Sequence, residues 1–182
     1  MRFLISLTIL TFGLQCASFS RVPSFPRLES GRVIFNEGGT RPTKETTDAL
    51  LHVLRELLLM VEHRDWSKLP DYVSKKKGIY VDLKGYRSFQ QLAEDVKDRN
   101  GYLYLFYHDT AALRAGTGDK GQIAVRDLVL NAGTIRVDFF MEEGSTECEM
   151  KLSLEETPKE SYRMNQPVFI LEDGQWKVYR LF

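Results

Sequence analysis

Ile135-Arg136-Val137-Asp138-Phe139-Phe140-Met141-Glu142-Glu143-Gly144-Ser145-Thr146-Glu147-Cys148-Glu149-Met150-Lys151-Leu152-Ser153-Leu154 reads as two strands around a turn. Ile135, Val137 and Phe139 alternate with Arg136 and Asp138. Cys148, Met150, Leu152 and Leu154 alternate with Glu147, Glu149, Lys151 and Ser153. A period of two sends successive side chains to opposite faces, so the pair predicts a hairpin with one dry and one wet face. A second hairpin follows, in which Pro167 to Leu171 and Gln175 to Phe182 flank the two-residue turn Asp173-Gly174. Trp176 alternates to the dry face.

The layer that covers this sheet lies upstream. Leu50, Val53, Leu54, Leu57, Leu58 and Val61 recur at helical spacing, with His52, Arg55, Glu56 and Glu62 on the other side. Pro42 stands where a first-turn proline would, and Thr40 or Thr43 can cap. A shorter helical turn near Pro70 holds Trp66, Leu69, Tyr72 and Val73. Gly78 to Leu83 reads as a strand, and Ser88 with Gln91 forms a capping box that opens a helix through about Lys97. Tyr102 to His108 is apolar on both faces, as a doubly covered strand would be. Ala111 to Gly121 reads as a Gly-rich loop, and Ile123 to Leu130 as a short helix or strand. The fold class is α+β, helices packed on a bent antiparallel sheet.

The chain has 182 residues, 43% of them hydrophobic and 12% aromatic, enough for one packed core. Acidic and basic residues number 25 each, so no global field holds a polyanion and a nucleic-acid partner is disfavoured. Lys75-Lys76-Lys77 is better read as a solvated turn than as a phosphate or headgroup site. His52, His63 and His108 are isolated, without the spacing a metal centre needs, so no metal and no cofactor is expected. Gly116 to Gly121 lacks the ending of a phosphate-binding loop.

The amino-terminal segment has a separate meaning. Arg2 precedes the apolar run Phe3 to Leu14, and Gln15-Cys16-Ala17-Ser18 closes it. This charged start, greasy middle and processing site is the layout of a secretory signal. The cysteine at the site resembles the relaxed lipobox of bacterial lipoproteins, although Leu14 stands one step late and Gln15 is atypical. That resemblance implies residues 1–15 as signal peptide, Cys16 as the residue carrying palmitate-type acyl chains, and an exported, membrane-anchored protein facing the periplasm or the cell surface. The competing readings are ordinary secretion, a retained span and a cytosolic apolar strand; the run of about a dozen residues is short of the ~20 a span needs. Residues 16–42, rich in Ser, Pro, Arg, Gly and Glu, read as a mostly flexible tether with a short strand at Arg32 to Phe35. The folded domain is then 43–182. Cys148, alone once Cys16 is acylated, reads as a buried and inert thiol.

The element order also resembles the nuclear-transport-factor-2-like (SnoaL-like) α+β cone. The long first helix, Asp65-Trp66-Ser67-Lys68-Leu69 and the closing Leu171-Glu172-Asp173-Gly174-Gln175-Trp176-Lys177-Val178 carry this likeness. A cystatin-like helix-on-sheet fold is the alternative. The cone resemblance implies a cavity between sheet and helices. There Tyr80, Tyr104 and Phe106 would line a small apolar pocket, and His108 with Asp82 (Asp109 adjoining) would supply an acid/base pair. The leading expectation is a binding or structural module of the cell envelope, with an envelope protein or a small apolar ligand as partner. A homodimer is a further implied form. The opposed expectation is a small-molecule isomerase, dehydratase or hydrolase using His108 and Asp82.

Overall fold

The computed structural model describes residues 25–35, 41–141 and 146–182. Cys16, the signal segment, Thr40 and the Glu142-to-Ser145 turn lie outside the described residues. Seven strands form one open sheet in the order β1 (Arg27–Phe35), β4 (Thr134–Met141), β5 (Glu147–Leu154), β6 (Val168–Glu172), β7 (Gln175–Arg180), β2 (Ile79–Tyr80) and β3 (Tyr86–Arg87). The helices are α1 (Lys44–His63), α2 (Phe89–Asp95), α3 (Tyr102–His108), α4 (Thr110–Thr117) and α5 (Val125–Leu130). The protein is α+β, with helices packed against a mixed sheet.

Both hairpins form as their alternation dictates. β4 and β5 pair antiparallel with Val137 opposite Leu152 and Phe139 opposite Met150, all four buried. β6 and β7 pair with Leu171 opposite Trp176. Asp173 and Gly174 take φ of 50° and 78°, the two positive values that a primed hairpin turn requires.

The central strands are antiparallel, but each end of the sheet adds a parallel pairing: β1 with β4, and β2 with β7. β1 corrects the tether reading, because nine residues of that Ser/Pro/Gly-rich stretch are built into the sheet and the folded unit begins upstream of residue 43. The strand carries a register shift between Ser30 and Val33. Asp138 occupies it: its Oδ1 accepts the Arg32 amide at 2.8 Å and its Oδ2 takes the Arg32 guanidinium at 3.1 and 2.7 Å. A Cβ on Gly31 would come within 2.2 Å of Asp138 Oδ1, so only glycine lets the backbone approach this closely.

α1 is long because its apolar stripe is uninterrupted. Leu50, Leu54, Leu57, Leu58 and Val61 are fully buried against the sheet and α5, each contributing about 2 kcal/mol relative to exposure. Thr43 caps it, accepting from the Thr46 amide, so Pro42 precedes the cap and is outside the first turn. α2 starts at the expected capping box of Ser88 and Gln91.

Three assignments change. Gly78 to Leu83 is a strand only over Ile79–Tyr80, with Asp82 and Leu83 in the turn that follows. Tyr102 to His108 is helical: Gly101 is its N-cap, and Leu103 and Tyr107, four apart, form its core face. A segment apolar at every position satisfies either period, and packing under α1 and α5 selects the helix. The stretch from Ala111 lies mostly in α4, which Asp109 caps by accepting the Ala111 and Ala112 amides; Gly118 ends it with φ of 71°.

Trp176 is 9% exposed and belongs to the core that joins α1 to the sheet. Trp176→Ala is expected to lower unfolding free energy by about 3–5 kcal/mol, read from denaturant titration. A change below about 1 kcal/mol would contradict this placement.

Candidate functional site

A groove on the sheet face away from α1 is built from four strands and one turn. β2 supplies Tyr80, β6 supplies Val168, and β7 supplies Tyr179 and Arg180; Leu83 comes from the turn before β3. Glu147 at the start of β5 completes the lining, and the groove measures about 290 Å³. Tyr80 meets Tyr179 edge-on at 5.5 Å between ring centroids, and Tyr86 at 5.4 Å. The register shift between Val168 and Phe169 lets both Tyr179 and Arg180 reach this face.

The turn that presents Leu83 is held by one carboxylate. Asp82 Oδ1 accepts the Lys84 and Gly85 amides at 2.6 and 2.5 Å, and the Tyr102 hydroxyl donates to the same carboxyl. Burial pushes the Asp82 carboxyl upward, but those three donors and the Arg87 charge outweigh it and hold it below the ordinary carboxylate range. Leu83, 65% exposed, is left on the groove rim. Burial, then Tyr80 and Glu147, raise the Tyr179 phenol above its ordinary value. Arg180 bonds the Gln166 carbonyl at 2.9 Å and meets Glu149 at 3.4 Å.

The expected site residues do not converge. Tyr80 lies in the groove, whereas Tyr104 and Phe106 are half-buried on α3. On a helix, Tyr104 pairs with His108 at 4.9 Å, and Phe106 stacks with Tyr102 at 5.2 Å. The shared strand face on which the pocket depended is therefore absent. His108 is 1% exposed, its ring 5.3 Å from Trp66, and its Nδ1 lies 3.2 Å from the Val61 carbonyl. A carbonyl only accepts, so Nδ1 carries the hydrogen. Its charged neighbours are Arg64, Arg126 and Asp65, while Asp82 is engaged in its own turn and Asp109 caps α4. His108 and Asp82 share no partner, and the acid/base pair is not assembled.

Two other concavities carry charge that is largely compensated. The one of about 480 Å³ beside Lys75 has Lys177 on the Asp71 carbonyl, Lys76 near Asp173 and Lys75 over the Phe89 ring. The one of about 670 Å³ across β1, β4 and β5 contains the Arg32–Asp138 and Arg136–Glu155 pairs. Among the described residues no three His, Cys, Asp or Glu side chains stand together as a metal site. His52 is exposed, and His63 lies 3.8 Å from Glu62. Cys148 is fully buried, and burial pushes its thiol up to about 12, which keeps it unreactive.

Tyr179, Leu83 and Val168 were missed in the sequence. One signal was present: with Trp176 and Val178 on the dry face, Tyr179 had to be an aromatic on the wet one. No helix among the described residues is long and apolar enough to cross a membrane. No family model matches the chain, and no curated protein or solved structure is significantly similar to it.

Burial lowers the His108 imidazole from 6.5 to about 4, Arg64 and Arg126 adding to the effect against the Val61 bond and Asp65. The folded state thus holds the neutral ring. Stability from this residue is complete above pH 6.5 and falls as pH drops from 6.5 toward 4, by up to about 3 kcal/mol. Melting temperature of wild type against His108→Gln over that range is the measurement. A difference that stays flat with pH would refute the assignment.

Proposed function

We propose that this chain is a lipid-anchored module of a bacterial cell envelope that takes a small apolar ligand in its tyrosine groove. The observation carrying the binding half is the aromatic concavity of Tyr80, Tyr179, Leu83 and Val168 on a sheet face left open by the helices. The groove combines the rings of Tyr80 and Tyr179 and the side chains of Leu83 and Val168 with the polar Glu147 and Arg180, and ligand sites pair apolar walls with such placed polar groups. The anchoring half rests on Arg2, the apolar run before Cys16, and the brevity of that run against a membrane span. The opposed enzymatic reading gains no support from the geometry, since it needs His108 and a carboxylate in one open cavity.

Anchoring predicts that Cys16→Ala abolishes incorporation of a fatty-acid analogue and partitioning into detergent; unchanged labelling in that variant rules the anchor out. Ligand binding predicts saturable, one-to-one binding of the uncharged apolar dye N-phenyl-1-naphthylamine. Leu83→Ser and Tyr179→Ala should each weaken it at least about tenfold while melting stays cooperative. Equal dye binding by all three proteins would remove the groove from consideration.

A further inference from the structure

The two rings that wall the groove set its chemistry. Tyr80 and Tyr179 stand 5.5 Å apart at an interplanar angle of 83°, and both line the cavity, so they form a corner between two aromatic faces. A hydrogen bond between the two phenols fixes that corner. An aromatic face carries the negative part of the ring's quadrupole and attracts a cation. The protein places its own cations over other rings. Among the described residues Arg55 stands over Phe25, Lys75 over Phe89, Arg99 over Tyr104 and Arg163 over Tyr162, and none stands over Tyr80 or Tyr179.

The formal charges at the groove point the same way. Glu147 and Arg180 both line it. Arg180 is already committed: its Nε donates to the Gln166 carbonyl at 2.9 Å, and its Nη2 lies 3.4 Å from Glu149. With Glu149 included, two carboxylates stand against one guanidinium. Burial raises the Tyr179 phenol above its ordinary value, and Tyr80 and Glu147 raise it further, so added negative charge is disfavoured here. An anion is repelled by this field, whereas a cation gains from both the carboxylates and the rings.

The remaining walls select among cations. A bare ammonium is compact and strongly hydrated. Methyl groups on the nitrogen spread the charge over an apolar surface, which aromatic faces, Leu83 and Val168 can touch. The cavity of about 290 Å³ lies at the small end of ligand sites, which run from ~300 to ~1,000 Å³. We propose that the groove takes a small methylated organic ammonium, its nitrogen in the corner of Tyr80 and Tyr179, Glu147 as counter-charge and its apolar remainder on Leu83 and Val168. This rests on the reading of the groove as a ligand site and narrows it to one chemical class; the lipid anchor has no part in it.

The test uses the full chain bearing Cys16→Ala and two matched probes, choline and its uncharged carbon isostere 3,3-dimethylbutan-1-ol, titrated by ligand-observed NMR. Choline is expected to bind at least about tenfold more tightly than the isostere. Tyr80→Leu and Tyr179→Leu keep bulk but remove an aromatic face, and each should bring that ratio to about threefold or less while melting stays cooperative. Sedimentation with phosphatidylcholine vesicles separates two sources of the same chemistry. Retention that Tyr179→Leu abolishes identifies a lipid headgroup, and choline binding without retention identifies a free solute. A protein that binds N-phenyl-1-naphthylamine but holds choline no more tightly than the isostere would overturn the ammonium assignment and leave the groove. A preference for choline that survives both tyrosine variants would overturn the assignment as well. Failure to bind the dye or choline at all would overturn the groove itself.

Discussion

The carboxy-terminal end of α1 is the point on which the helical layer depends. A helix leaves its last carbonyls without intrahelical partners, and burying them unsatisfied is costly. Here Met60 and Val61 accept the Asp65 and Arg64 amides, with Arg64 in the left-handed region at φ of 56°. The remaining demand is met from other elements. His108 on α3 bonds the Val61 carbonyl, Tyr104 on α3 bonds that of Arg64 at 2.7 Å, and Arg126 on α5 bonds that of Glu62 at 2.9 Å. One helix end thus fixes the position of two others, and Trp66 closes the junction against Tyr107 at 5.3 Å. The residue that looked most like a catalyst in the sequence is spent on this contact.

Tyr107 extends the same arrangement toward the sheet. Its hydroxyl lies 2.8 Å from the Val81 carbonyl and 3.0 Å from that of Phe182. Val81 adjoins Asp82, whose carboxyl draws in Tyr102 from the same helix. α3 therefore sets the turn bearing Leu83 through one face while supporting α1 through another. The groove is shaped from behind by residues that never line it.

Elements with one strong local rule were legible. The two hairpins, the α1 stripe, the Ser88 capping box and the buried Cys148 each follow from spacing alone. What failed was decided elsewhere in the chain. Tyr102 to His108 satisfies both periods, so only its neighbours choose between them. β1 has little alternation, and its partner is β4, far along the chain. The expected pocket inherited the first error, since side chains assigned to one strand face scatter around a helix. The groove itself joins β2, β5, β6 and β7; only the Tyr179 alternation hinted at it.

The pairing of β1 with β4 also governs how the chain must assemble. Arg32 and Asp138, the contact that holds the shifted register, are 106 residues apart. A ribosome adds roughly 5–20 residues per second, so β1 emerges several seconds or more before β4 exists to receive it. Neither the β4–β5 nor the β6–β7 hairpin needs it, and both close over short loops with little entropic cost. β1 thus waits for β4 as β2 waits for β7, and a β4 formed before β1 docks keeps an open edge able to recruit any extended chain. The protein's exposure to misassembly lies between the making of β4 and the docking of β1, when that edge is unpaired.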